Sequence, residues 1–105
     1  MCGLFFCYDK KLDVTKCQES LKLLEKRGPD FTHYDIISDN IFLGQTVLNI
    51  VGKYSKKNFY YQDYTLLFNG EIYNYLDFYQ LDSDTQVLVK LFQDYEFQDF
   101  IPQLD

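Results

Sequence analysis

Phe68-Asn69-Gly70-Glu71-Ile72-Tyr73-Asn74-Tyr75 is the most informative stretch of this 105-residue chain. Between two β-like runs, an Asn-Gly pair is the strongest short-range signal for a tight hairpin, and its plain reading is a turn. Upstream, Phe59 to Phe68 reads as a strand ending at that turn. Downstream, Ser83-Asp84-Thr85-Gln86 has capping-box spacing, and Val87, Leu88, Leu91, Phe92 and Tyr95 trace one face of a helix.

Further out, Ile41 to Val51 and Tyr34 to Ile37 read as strands joined by Ser38-Asp39-Asn40. Leu4 to Tyr8 reads as a short buried strand closed by Asp9-Lys10-Lys11. Between them, Thr15-Lys16-Cys17-Gln18 has capping spacing and Val14, Cys17, Leu21 and Leu24 share a helix face. Lys26 and Arg27 suit the negative end of that helix's dipole, and Gly28-Pro29 stops it. Strand, helix, several strands, helix is an α+β order with antiparallel pairing, not the alternation of a parallel sheet.

Composition narrows the function classes. Ten Lys+Arg stand against 16 Asp+Glu, and the net charge of −6 disfavours a nucleic-acid partner, whose phosphates need clustered cations. The aromatic cluster Phe59, Tyr60, Tyr61 and Tyr64 beside Lys56 and Lys57 therefore reads as packing and not as base stacking. With 47% hydrophobic and 25% charged residues, the chain can build a core. No run approaches the ~20 apolar residues of a membrane span, and the N-terminus lacks the regions of a secretory signal. Three cysteines, all within the first 17 residues, imply no disulfide framework, and with one histidine, His33, they have no metal-ligand spacing. A reducing, cytoplasmic setting is expected, without a bound metal. A Cys2–His33 dyad has no motif to place its members together.

Four strings go further: Met1-Cys2-Gly3, Arg27-Gly28-Pro29-Asp30, the eight residues from Phe68 to Tyr75, and Ser83-Asp84-Thr85. In that order and at these intervals they resemble the N-terminal glutaminase domain of asparagine synthetases, a class II glutamine amidotransferase of the N-terminal-nucleophile superfamily. The resemblance covers residues 1–105. It implies an αββα sandwich, of which 105 residues make up only the N-terminal part, so the domain is expected to be incomplete at its C-terminal end. Open apolar sheet faces and strand edges should result, with Asn40–Val51 and Phe59–Phe68 the segments most prone to associate.

The resemblance also implies a chemistry: hydrolysis of glutamine to glutamate and ammonia through a Cys2 thioester. Once Met1 is removed, Cys2 carries both a thiol and a free α-amine. An amine with a pKa near 7.8 is about one-third free base at pH 7.5, against about 0.1% for a lysine, so no histidine is needed as base. By resemblance, the Asn69 side-chain amide and the Gly70 N–H face the oxyanion, and Glu71 and Asp84 hold the substrate ammonium. Val47 and Val51 would line the substrate site, with Arg27, Gly28 and Asp30 supporting the nucleophile. On the residues by themselves, Glu71 reads as a solvated acid, Asp84 as a first-turn helix carboxylate and Arg27 as a helix-end cation.

One position departs from the family. Members that hydrolyse glutamine carry a His-x-Arg-Leu-Ser-Ile-like segment, whose arginine clamps the substrate carboxylate. Here the run is Gln45-Thr46-Val47-Leu48-Asn49-Ile50, with Val47 at the arginine position. A charge-assisted hydrogen bond contributes about 1.5–3 kcal/mol, so its loss weakens binding roughly 10–150-fold. Lys53, Lys56 and Lys57 offer point charges and not a planar fork. In this respect the sequence is similar to the divergent asparagine synthetase domain-containing proteins. ATP and Mg would belong to a synthetase domain, whose Ser-Gly-Gly-x-Asp-Ser-like loop this sequence does not contain, so no cofactor is expected here. The expected partners are glutamine and either a synthetase chain or a missing C-terminal region that would use the ammonia for asparagine synthesis. The second reading is a non-catalytic remnant or interaction module that keeps the fold signature and binds glutamine poorly.

Overall fold

A computed structural model describes residues 2–48, 60–61 and 64–105. Val51, Lys53, Lys56, Lys57 and Phe59, named above, lie outside the described residues. The elements run β1 (Gly3–Tyr8), α1 (Val14–Lys22), β2 (Phe31–Ile37), β3 (Ile41–Val47), β4 (Tyr60–Tyr61), β5 (Tyr64–Thr65), α2 (Asp84–Asp94) and α3 (Phe97–Phe100). Single 3₁₀ turns cover Tyr75–Asp77 and Ile101–Gln103. The chain is mixed α+β with antiparallel pairing, as its element order implies. It forms two compact units, Met1–Asn49 with Leu67–Asn69, and Ile50–Leu66 with Gly70–Asp105.

In the first unit, β3 is the middle strand of a three-stranded antiparallel sheet ordered β1-β3-β2. Gly3 pairs with Thr46 across one edge of β3, and Phe31 pairs with Val47 across the other. Because alternate residues share a face, Phe5 and Cys7 of β1 lie with Phe42 and Gly44 of β3. That face is covered by α1, whose Cys17 and Leu21 form the core with Phe42. The rings of Phe5 and Tyr34 pack on Phe42, edge-on at 5.7 Å and stacked at 5.0 Å. Burial pushes the Cys17 thiol pKa up, and the neighbouring Cys7 adds to the shift. The opposite face of β1 carries Leu4, Phe6 and Tyr8, all exposed, with Phe6 at 64%. The open apolar face thus includes β1, which is not one of the two segments expected to be most prone to associate.

The ends of α1 differ from the sequence reading. Its N-cap is Asp13, whose carboxylate accepts from the Lys16 N–H at 3.1 Å, so Thr15 lies inside the first turn. Asp satisfies the free amides of a helix start at least as well as Thr. The helix stops at Lys22, and Leu23 to Arg27 continue as tighter turns. The buried Thr46 hydroxyl donates to the Leu24 carbonyl at 2.9 Å, holding that peptide to β3 instead of the helical ladder. Lys22 therefore occupies the last turn, and Arg27 is free of the dipole role read from its position.

The β2–β3 connection matches the reading, although β2 begins three residues earlier, at Phe31. Its turn holds Ser38 and Asp39 at φ 54° and 61°, the left-handed region at two successive residues. Asp tolerates this conformation and Ser less so, at roughly 1–2 kcal/mol per ordinary residue. Ser38→Gly should accordingly raise stability by about 1 kcal/mol in urea unfolding.

Phe59–Phe68 is not one strand. Tyr60 pairs with Thr65 and Tyr61 with Tyr64, so the run folds on itself as a small hairpin, and Leu66 to Asn69 leave regular structure. The Tyr64 side chain is exposed and not packed. Nor is Asn69-Gly70 a primed hairpin turn: no strand follows it, and Asn69 is not among the residues with positive φ.

The second unit is organised by α2. Ser83 caps it, accepting from the Gln86 N–H at 3.3 Å, while the Gln86 side chain accepts from the Asp82 N–H at 3.2 Å. The helix start thus realises the capping spacing of Ser83-Asp84-Thr85-Gln86. Val87, Leu88 and Leu91 are buried with Ile72 and Phe100, and Phe92, Phe97 and Phe100 pack as an aromatic trio. The Tyr79 hydroxyl donates to Asp94 at 2.5 Å, and this bond holds the Tyr79 phenol pKa well above its usual range and lowers that of Asp94. Asp94 also pairs with Lys90 at 3.2 Å. Among the described residues, no helix is long and apolar enough to cross a membrane.

Candidate active site

In the first unit, residues far apart in sequence converge on Cys2. Its backbone nitrogen donates to the side-chain Oδ1 of Asn69 at 3.1 Å, across 67 residues. The acceptor must be the oxygen, because the nitrogen of Asn69 has no lone pair to offer. The amide NH₂ of Asn69 is thereby turned away from the Cys2 nitrogen. The Arg27 guanidinium donates through Nε to the Cys2 carbonyl at 3.3 Å. Cys2 is half-buried, and Arg27 and Asn69 are exposed, so the three present a reachable surface.

The short strings flanking these residues have packing reasons. A Cβ on Gly3 would sit 2.7 Å from both the Leu24 Cβ and the Thr46 Oγ1, so the residue after Cys2 can approach the turn and β3 only as glycine. At Gly28 the constraint is harder. A Cβ there would fall on the main-chain nitrogen of Val47 and 2.5 Å from the Thr46 carbonyl oxygen. Pro29 bridges to Val47, and the Asp30 N–H donates to the Val47 carbonyl at 3.0 Å. Arg27-Gly28-Pro29-Asp30 is thus clipped along the end of β3, and the clip delivers Arg27 to Cys2. Because backbone and not a flexible side chain blocks the space, Gly28→Ala should cost about 3 kcal/mol, at the upper end for overpacking, in urea unfolding.

The sheet also places Val47 and His33. Val47 is only 2% exposed at the end of β3, and its side chain offers neither charge nor hydrogen bond. His33 lies on β2, paired with Gln45, while Cys2 precedes β1 on the other side of β3. Two strand spacings, about 9.5 Å, separate those edges, so a Cys2–His33 dyad is out of reach.

In the second unit, Asp84 opens α2 and is buried. Its Oδ2 accepts from the Ile72 N–H at 3.0 Å and its Oδ1 from the Thr85 N–H at 2.7 Å. The Thr85 hydroxyl also donates to Oδ1 at 3.4 Å, so of a carboxylate's roughly four acceptor positions about one remains for a further donor. The bond to Ile72 brings the adjoining Glu71 towards Asp84, placing two acids in one neighbourhood of this unit. Glu71 is exposed, and its hydrogen bond pushes the Tyr73 phenol pKa up.

Sequence reasoning missed Gln45 and Thr46 as structural ligands. Gln45 is 1% exposed, and its side-chain amide donates to the Phe68 carbonyl at 2.5 Å. The available signal was two polar residues inside an apolar strand, since buried polar groups require partners.

A cysteine, an arginine and an asparagine thus converge on an α+β scaffold, and comparison with known proteins identifies the class of the chain. The sequence model of the glutamine amidotransferase domain family matches residues 1–105, and the chain belongs to that family. It is also similar to a protein of Acanthamoeba polyphaga mimivirus named as a probable asparagine synthetase (glutamine-hydrolyzing), at 33% identity over 122 aligned positions. That match covers 100% of this chain and 22% of the viral protein, so the chain spans about a fifth of the relative's length. The glutamine amidotransferase domain is thus related to that of asparagine synthetases.

Proposed function

We propose that this domain hydrolyses the side-chain amide of glutamine through Cys2, in the cytoplasm, on the N-terminal part of an αββα N-terminal-nucleophile sandwich. The observation that carries the reading is the Cys2 nitrogen bonded to the Asn69 oxygen, since it joins the amine needed as base to the amide needed at the oxyanion. With Met1 removed, the α-amine takes the thiol proton and the sulfur attacks the amide carbon of glutamine. The oxyanion is held by the Asn69 NH₂ and the Gly70 N–H. As it collapses, the ammonium returns its proton to the departing nitrogen, which leaves as ammonia. Water, deprotonated by the same amine, then cleaves the thioester and releases glutamate. Glu71 and Asp84 hold the substrate ammonium. The ammonia serves asparagine synthesis on a synthetase chain or domain, where ATP and Mg would act. The exposed Leu4, Phe6 and Tyr8 are the surface on which the rest of a sandwich would pack.

A diazoketone analogue of glutamine tests this reading. It should alkylate Cys2 in preference to the core thiols Cys7 and Cys17, with a rate that saturates in reagent and is slowed by free glutamine. Equal labelling of all three cysteines would refute it.

One observation favours the second reading, a module that keeps the fold and binds glutamine weakly. Val47 stands buried and apolar where the resemblance expects an arginine. Calorimetry separates the two: a glutamine Kd in the millimolar range with labelling of Cys2 indicates a weak enzyme, and no heat with no labelling indicates a remnant.

A further inference from the structure

We propose that Gln45 is a positioning residue for glutamine hydrolysis, acting through the Phe68–Asn69 peptide. This deepens the reading above and rests on it. Leu66 to Asn69 belong to no strand or helix, so no ladder fixes Asn69 through its own segment. Gln45, in contrast, sits in the middle strand, with Leu4 of β1 on one side and His33 of β2 on the other. Its buried amide reaches 23 residues along the chain to the Phe68 carbonyl, at 2.5 Å. That carbonyl is part of the peptide plane whose nitrogen belongs to Asn69, so holding the oxygen sets the plane from which the Asn69 side chain departs. The side chain then accepts from the Cys2 nitrogen. A rigid strand is thus tied through Gln45, Phe68 and Asn69 to the amine of the nucleophile. Small displacements of such a group cost rate steeply, because an oxyanion donor works only at the position where charge develops.

The experiment uses the full chain with Met1 removed, as checked by intact mass. Saturation kinetics with the glutamine diazoketone should give a maximal Cys2 alkylation rate about 10–100-fold lower in Gln45→Leu, with the half-saturating concentration nearly unchanged. Iodoacetamide alkylates by direct displacement and forms no oxyanion, so its rate at Cys2 should stay within about two-fold. Gln45→His, which restores an N–H donor, should recover most of the diazoketone rate. Equal losses with both reagents, or no loss in folded Gln45→Leu, would overturn the proposal. If Gln45→Leu does not fold, the wild-type Gln45 side-chain amide decides. Slow exchange and a scalar coupling to the Phe68 carbonyl carbon support the tie, and fast exchange overturns it. If the wild-type chain ignores the diazoketone while iodoacetamide labels Cys2, glutamine hydrolysis itself fails. The tie is then judged by the Asn69 side-chain amide resonances, which must shift in Gln45→Leu and overturn it if they do not.

Discussion

A chain that retains Met1 will release no ammonia from glutamine above the rate without protein, and Cys2→Ala will be equally inactive. Both should fold like the processed chain. With Met1 in place, the Cys2 nitrogen is an amide that still donates to Asn69, as the 3.1 Å contact requires only an N–H. The fold around it is unchanged, but the lone pair is delocalised and accepts no proton. Among the described residues the single histidine does not replace it. His33 is on the far edge strand, and a free lysine amine, with a reference pKa near 10.4, is a poor base at neutral pH. The processed chain should therefore gain rate with pH through the range of a free α-amine, about 7.7–8.0, as that group loses its proton. Intact mass, circular dichroism and coupled ammonia release on the same samples check this. Turnover by a folded Met1-bearing chain would mean that another group is the base.

Legibility followed how local each cause was. Ser83 and Gln86 cap α2 as read, because the bonds span only four residues. The β2–β3 hairpin was visible in Ser38-Asp39-Asn40 for the same reason. At the start of α1 the sequence pattern favours Thr15, which has Gln18 three residues on, whereas Asp13 has only Lys16 there and is selected as the cap by backbone geometry. A larger misreading has a distant cause. The early end of α1 depends on Thr46, 22 residues beyond Leu24. Of the candidate site, Cys2, Arg27 and Asn69 could be named from motifs, and the structure joins them by hydrogen bonds. Gln45 could be located but not interpreted, since its partner lies 23 residues away.

Asn69→Ala should lower glutamine turnover by about 10²–10³-fold with little change in KM, corresponding to the roughly 2.7–4 kcal/mol of a lost oxyanion donor. Asn69→Asp is the more diagnostic variant, because it separates the two ends of the side chain. Its carboxylate keeps an oxygen for the Cys2 nitrogen, so the contact at 3.1 Å can persist. It loses the NH₂ and puts negative charge where the oxyanion forms, so its maximal rate should fall at least as far as that of the alanine variant. The charge also favours the protonated α-amine and raises that pKa, so the rising limb of the pH–rate profile should move to higher pH in Asn69→Asp. In Asn69→Ala the limb should not move upward, because no charge is added. If Asn69 served only to hold the chain terminus, Asn69→Asp would retain most of the rate while Asn69→Ala lost it. Steady-state ammonia release between pH 6.5 and 9 for the two variants distinguishes an oxyanion donor from a structural tether.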